Sequence, residues 1–322
     1  MSIYKNKDVS KISVSPLYSL GKIIWSIFRF LFMLEMAFVI LYPVFYMISM
    51  AIRHSSDMYD ISIVWIPKHF TFENFKLVFR ALKFDEAFKN TLFISLGCTI
   101  LQLFICSITG YGLARFNFKG SKLLFMVVIF TILVPPQMNN MPNYILFSDF
   151  DFLNIVKHIT GHGTGINMLD KFISVYLLAA LGQGLRSGVF ILIFKQFYKS
   201  IPNELEEAAM IDGCGYFKTY RSIMIPNSGG PLLITFIFSM VWYWNDYYTM
   251  STFFTNIRTL SVNLSGLTTT LTNIMGNQAY DPYKTMTIQQ AACIICLLPI
   301  FILFIALQKK FSQSIVSTGL VG

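Results

Sequence analysis

The stretch IPNELEEAAMIDGCGYFKTYRSIMIP, residues 201–226, lies between two of the most apolar parts of a 322-residue chain. It holds four of the chain's sixteen acidic residues: Glu204, Glu206, Glu207 and Asp212. Its pattern predicts two short helices joined at glycines. Asn203 followed three positions later by Glu206 has the spacing of a capping box, and the glutamates crowd the positive end of the first helix dipole. Leu205, Ala208 and Ala209 fall at i, i+3 and i+4, which gives a narrow face of small residues. Gly213 and Gly215 supply the stop, because a helix C-terminus often ends in left-handed backbone. In the second helix Tyr216, Phe217, Tyr220, Ile223 and Met224 line one side, Lys218 and Arg221 project from another, and Pro226 closes it. The plainest reading is an amphipathic hairpin lying on a membrane surface. Anionic headgroups, however, repel an acid-rich first helix, and an alanine face suits close contact with another protein better than immersion in lipid.

Outward from this segment the chain is 55% hydrophobic and only 13% charged. A soluble domain carries roughly 25% charged residues, so half of the usual solubilising surface is missing. The apolar residues come in six runs, at residues 23–50, 90–113, 122–142, 172–198, 231–252 and 287–308. Each approaches the roughly 20 apolar residues that a spanning helix requires. Within lipid the backbone has to satisfy its own hydrogen bonds, so runs of this length are helices. The expected fold is an all-α polytopic bundle of six transmembrane helices spanning residues 23–308, with a polar segment 1–22 before it, the hairpin loop at 199–230 inside it and a tail 309–322 after it.

The first 22 residues are polar and basic (Lys5, Lys7, Lys11, Lys22), and the run that follows is too long for the core of a cleavable signal. Arg115, Lys119 and Lys122 sit together in one short connection, which favours a cytoplasmic N-terminus. Six spans then put both termini inside. The net charge of +9 suits anionic lipid headgroups, and nothing in the pattern points to nucleic acid.

Enzymatic signatures are absent from the sequence. It has no GxxxxGK[ST] loop to cradle nucleotide phosphates, no HExxH and no GxSxG. Cys98, Cys106, Cys293 and Cys296 lie in apolar runs and read as small hydrophobes, despite the CxxC spacing of the last two. His158 and His162 flank glycines in a loop and lack the further ligands of a metal site. No catalytic residue, metal or bound cofactor is expected.

The hairpin carries a resemblance. Glu207-Ala208-Ala209, then Gly213, then Ile223-x-Ile225-Pro226 resembles the EAA signature in the membrane subunits of bacterial binding-protein-dependent ABC importers. It sits between the fourth and fifth runs, where a six-span permease of this kind has it. YGLARFNFKGSKLLF (111–125), VPPQMNNMPNYILF (134–147), WYWNDYY (242–248) and the glycine-ending tail QKKFSQSIVSTGLVG (308–322) are similar to segments of the carbohydrate group of these permeases. The chain departs from the pattern in three places: Ile225 replaces the usual Leu, residues 155–170 are longer, and the tail is poorer in basic residues.

The resemblance implies a type I importer permease fold in a bacterial cell membrane. It also implies four kinds of partner: a second, homologous permease, two ATPase subunits that bind ATP and Mg²⁺, an extracellular solute-binding protein and a sugar. Residues 203–226 would be a coupling element seated on an ATPase, with Glu207, Ala208, Ala209, Asp212, Gly213, Ile223 and Pro226 as its functional positions. For the pathway the candidates are Arg186 and Glu35, charges near the middle of spans, and Trp244, Asn245 and Asp246 in the aromatic segment of the fifth. Glycines 182, 184 and 188 near Arg186 permit either close helix packing or a helix break at a site. The aromatics from Trp242 to Tyr248 fit an interfacial belt or a sugar-stacking surface. An ATP-independent secondary transporter or channel would also be a basic six-span bundle, without need of the hairpin's spacing.

Overall fold

The structure, a computed structural model, describes residues 16–151, 158, 165–276 and 281–319. Lys5, Lys7, Lys11, His162, most of the long 155–170 stretch and the last three residues lie outside the described residues. Among the described residues the chain is helical, with two isolated antiparallel bridges, Arg53–Phe70 and Phe150–Ile166.

All six apolar runs are built of helix. Three are uninterrupted and are long and apolar enough to cross a membrane: α1 (Pro16–Ala51), α3 (Phe84–Arg115) and α14 (Pro282–Gly319). A short α2 (Glu73–Ala81) lies in the loop after α1. The other three runs are broken within their length.

The third run stops at Pro135-Pro136. There α4 (Ser121–Leu133) gives way to α5 (Pro136–Ser148) at a bend of 101°. A residue before proline is driven out of helical backbone, and Val134 and Pro135 accordingly take ψ of 119° and 130°. The 13 residues of α4 reach about 20 Å, short of a hydrocarbon layer of about 30 Å. The fourth run divides into α6 (Phe172–Ala180) and α7 (Ser187–Ser200), with six non-helical residues between them. Gly182 at φ +75° and Arg186 at φ +55° make that break.

Two short helices follow α7: α8 (Glu204–Ile211) and α9 (Tyr216–Asn227). The fifth run is α10 (Gly229–Trp244), bent by 77° from α9, and it ends at Asn245 before α11 (Tyr248–Phe253). Two further short helices, α12 (Leu260–Ser265) and α13 (Leu267–Met275), lead towards α14.

The bundle is organised around α3, against which α6, α7 and α10 pack, while α1 runs along α14. Gly110 marks the α3–α7 crossing: a Cβ there would lie 2.5 Å from Phe194 Cβ and 3.0 Å from the Lys195 nitrogen. Only a residue without a side chain allows this approach. The interior side of α3 also carries polar residues, and they hold the broken fourth run together. Gln102 Nε2 donates to Leu185 O and Ser187 Oγ (2.8 Å each), its Oε1 accepts from Ser239 Oγ on α10 (2.6 Å), and Tyr243 Oη accepts the Leu185 N–H (3.1 Å). Backbone groups freed by a helix break inside a membrane must find such partners. Gln102→Leu is therefore expected to destabilise the chain by about 1–3 kcal/mol, the cost of unpaired buried polar groups. The measurement is the melting temperature of the purified protein in detergent.

At the α6 entrance, Asp170 clamps two loops. Its carboxylate accepts the N–H groups of Thr255 (2.7 Å) and Asn256 (2.8 Å) and the Asn256 side-chain amide (2.8 Å). Burial alone raises the pKa of this carboxyl, but the backbone N–H bonds from Asn256 and Thr255 outweigh it and hold the value below the ordinary range. A depressed folded-state pKa gives stability that is present above the unfolded value of about 3.9 and is lost as pH falls through the folded one. Asp170→Asn should reproduce that loss at neutral pH, seen as faster proteolysis at residues 254–259.

Candidate functional site

A cation ties the α8 end of the hairpin to the bundle. Arg115, the last residue of α3, pairs through Nε with Glu206 Oε1 at 3.2 Å, and both side chains are about nine-tenths buried. Its Nη2 donates to Ile201 O at 2.6 Å and its Nη1 to Asn203 Oδ1. The capping box expected from Asn203 and Glu206 is therefore not formed. Asn203 already has helical backbone and its side chain makes no cap bond; the guanidinium takes both side chains because charge-assisted bonds to a fixed cation are stronger than neutral ones. Sequence reasoning missed Arg115 as a site residue, although the short basic connection that contains it was visible.

Gly213, at φ +78°, ends α8, with the Cys214 N–H donating to Ala209 O (2.9 Å). Gly215 does not share that role. It is extended (φ −74°, ψ 165°) and starts α9. Pro226 does not close α9 either. The helix passes through a π-turn over Tyr220–Met224, with the Ile225 N–H reaching Tyr220 O, so that a proline with no N–H fits in the widened coil; the chain bends only at Ser228.

The hairpin has two faces. Glu206, Ala209, Thr219, Tyr220 and Met224 are buried, and Ile223 is half-buried among them. Glu207, Ala208, Asp212 and Gly213 are exposed, together with Leu205, Tyr216, Phe217 and Ile211, the last at 86%. The small-residue face expected from Ala208 and Ala209 is thus split: Ala208 looks out and Ala209 packs in. Behind the buried face, Tyr220 Oη donates to Ser107 Oγ of α3 (2.9 Å), Ser107 shares a bond with Tyr198 of α7 (2.7 Å), and Tyr198 reaches Ser228 at the α9–α10 bend (3.4 Å). The Tyr111 ring lies 5.1 Å from that of Tyr220 and 5.8 Å from that of Tyr198. These hydroxyls link the buried face of the hairpin to α3, to α7 and to the start of α10.

The second feature is a cavity of about 590 Å³ where the third and fourth runs break, lined by residues on either side of Pro135-Pro136, by 182–189, and by Tyr243, Asp246 and Thr249. It shares Pro136, Gln137, Asn140, Leu185, Arg186, Asp246 and Thr249 with a smaller cavity of about 260 Å³, which adds Trp242, Asn245, Tyr247 and Tyr248. The structure thus brings together Arg186, Asn245 and Asp246. The Arg186 guanidinium lies over the Trp242 ring, 5.0 Å from its centroid.

Two other pathway candidates lie elsewhere. Trp244 is buried on another side of α10, where its Nε1 donates to Cys296 O (3.0 Å) and its ring meets Phe88. Glu35 sits on the exposed length of α1, which lines neither cavity. Of the aromatics at 242–248, Tyr243 and Trp244 are core, and only Tyr247 and Tyr248 are well exposed. The carboxamides Gln137, Asn140, Asn143 and Gln183 also line the cavity. The amide cluster in VPPQMNNMPN, unusual inside an apolar run, was the available signal. Among the described residues no three of His, Cys, Asp and Glu come together as a metal site.

Comparisons with known proteins agree with this geometry. Residues 102–317 match the model of a family described as the binding-protein-dependent transport system inner membrane component. Protein LplC of Bacillus subtilis (strain 168) is 28% identical over 309 residues, 93% of this chain and 95% of that protein. The arabinooligosaccharides transport system permease protein AraQ of the same organism is 26% identical over 313 residues, covering 96% and 99%. Among solved structures, a chain of a bacterial ABC transporter involved in the import of the acidic polysaccharide alginate aligns with a TM-score of 0.69. It covers 92% of this chain and 100% of that one at 18% identity, a likeness of fold. The family model spans well over half of the sequence, and the broken helices and the hairpin lie within it: the chain is a multi-pass membrane protein with the type I importer permease fold, and it belongs to the family of inner membrane components of binding-protein-dependent transport systems.

Proposed function

We propose that this chain is one permease subunit of an ATP-driven importer that carries a di- or oligosaccharide across a bacterial cell membrane by alternating access. Its partners are a second, homologous permease, two ATPase subunits that bind ATP and Mg²⁺, and an extracellular solute-binding protein that delivers the sugar. The observation that carries the reading is the two-faced hairpin. Glu206, Tyr220 and Arg115 lock one face to the bundle, while Glu207, Ala208, Ile211 and Phe217 offer a mixed acidic and apolar face to a soluble protein. Closure of the ATPase pair displaces the hairpin, and the hydroxyl chain through Ser107, Tyr198 and Ser228 transmits the movement to α3, α7 and α10. The nucleotide chemistry resides in the partner. Several relatives are named for a carbohydrate cargo, among them arabinooligosaccharides for AraQ and diacetylchitobiose for DasC of Streptomyces coelicolor.

The test is co-purification of tagged chain with an ATPase and a second permease, followed by ATPase assay with sugar-loaded binding protein. Stimulation is expected. Sugar uptake that persists without any ATPase would replace this reading with that of a secondary transporter or channel. The proposed orientation has the hairpin and both termini in the cytoplasm. In a cysteine-free background, Ile61→Cys and Asn273→Cys should react with an impermeant thiol reagent added to intact cells, and Lys218→Cys should not. Labelling at position 218 would reverse the orientation.

A further inference from the structure

We infer that the cavity at the α4–α5 and α6–α7 breaks is a saccharide subsite of this subunit itself, and that it takes an anionic sugar, one bearing a carboxylate. This deepens the proposed function and rests on it. Arg186 supplies the first argument. Among the described residues it is the single cation lining either cavity, and the ion pairs among them are Lys68–Asp60, His69–Asp57 and Arg115–Glu206, so its guanidinium meets no described acid. Its side-chain contact is the Trp242 ring, which orients the planar group without using its N–H donors. A cation held inside a membrane bundle costs several kcal/mol unless it is hydrated or paired. A carboxylate matches the guanidinium fork with two parallel bonds, which a neutral hydroxyl cannot do.

Backbone geometry supplies the second. Arg186 is one of three non-glycine residues with positive φ among the described residues. Such a conformation is costly for a residue with a side chain and concentrates at functional sites. Glycine would relax it, so arginine at this place is explained by its side chain. The third argument is Asp246. Its Oδ1 accepts the Thr249 N–H at 3.1 Å, but Oδ2 is buried with no hydrogen-bond partner, on the wall of the same cavity. An acceptor left open there is completed by a hydroxyl donor. Arg186 and Asp246 make no ion pair with each other. A ligand that satisfies both carries an anionic group and hydroxyls together, as a uronic acid does. The cavity volume, about 590 Å³, falls in the range of about 300–1,000 Å³ usual for small-molecule sites. Gln137 and Asn140 offer amides of either polarity to the remaining hydroxyls.

The experiment uses the assembled transporter, permeases with ATPases, purified without its binding protein so that the latter's specificity does not enter. Equilibrium binding is measured with radiolabelled trigalacturonate and maltotriose. The expected result is at least tenfold tighter binding of trigalacturonate, with that preference lost in Arg186→Gln and Arg186→Gly and partly kept in Arg186→Lys. The glycine variant relieves the backbone, so its loss of binding reports the missing side chain and not a failed fold. Asp246→Asn should weaken both sugars alike. Equal binding of the two sugars, binding of neither, or a preference that survives Arg186→Gln each overturns the anionic subsite. If the same preparation with binding protein still imports a sugar at the expense of ATP, the proposed function stands while this inference falls. If no ATP-driven uptake is found, the proposed function fails first.

Discussion

Arg115→Ala is expected to abolish ATP-driven uptake while leaving the chain inserted in the membrane. The guanidinium touches Glu206 of α8, the Ile201 carbonyl before it and the Asn203 side chain at once. Removing it leaves Glu206, about nine-tenths buried, as an uncompensated charge. Losing one partner of a buried pair costs about 3–5 kcal/mol, much more than the pair contributes relative to apolar replacements. The hairpin relieves that cost by lifting off the bundle, which separates its outer face from the Tyr220–Ser107–Tyr198 chain. Hydrogen exchange over residues 203–215 should rise, and stimulation of the ATPase by loaded binding protein should vanish. The double replacement Arg115→Leu/Glu206→Leu removes the orphaned charge as well, and should restore part of the protection. Retained coupling in Arg115→Ala would show that the Tyr220–Ser107 hydrogen bond and the apolar contacts seat the hairpin without it.

How much of this was legible in the sequence differs from place to place. The membrane bundle and the hairpin were, because apolar run length and glycine-bounded helical spacing are local signals. The breaks were half legible. Pro135-Pro136 marks a kink wherever it stands in an apolar run, and the glycines around Arg186 allow a break, but whether they break the helix or merely pack it depends on neighbours. Here they do both: Gly182 takes positive φ, and at Gly188 an added Cβ would lie 2.9 Å from Val128 O of α4. Pro226 was misread because a π-turn upstream, invisible in a residue pattern, accommodates it.

Trp244 stays off the cavity for a geometric reason. Consecutive helical residues point about 100° apart, so a string of aromatics at 242–244 cannot all face one cavity. Trp242 lies beneath Arg186, Tyr243 bonds the fourth run, and Trp244 enters the core beside Phe88. Glu35 shows the limit of reading a membrane charge by depth alone, since depth does not tell which side of α1 meets a cavity. Arg115 and Glu206 were each seen, but their pairing joins residues ninety-one positions apart and needs the fold.

Gly213→Val is expected to separate transport from ATP hydrolysis without preventing membrane insertion. Gly213 stands at φ +78° and a Cβ there would meet nothing within 4 Å, so space is not the obstacle. Conformation is. Left-handed backbone costs an ordinary L-residue about 1–2 kcal/mol, and a β-branched side chain adopts it poorly. The strain is relieved by unwinding the last turn of α8, which carries Ala208, Ile211 and Asp212 on the exposed face. Asparagine tolerates left-handed backbone, so Gly213→Asn should keep most of the uptake. That contrast isolates backbone geometry from side-chain bulk. Glu207→Lys probes the same face by charge: Glu207 is exposed in the first turn of α8, and reversal sets a cation against the positive end of the helix dipole and inverts the sign offered to the ATPase. In membrane vesicles, Gly213→Val and Glu207→Lys should both hold the permease at near-normal levels. The ATPase should be either absent from the purified complex or unresponsive to loaded binding protein. If Gly213→Val and Gly213→Asn transport equally well, the turn is not part of the lever; if Glu207→Lys also couples normally, the exposed face is a surface hairpin and not the seat of an ATPase.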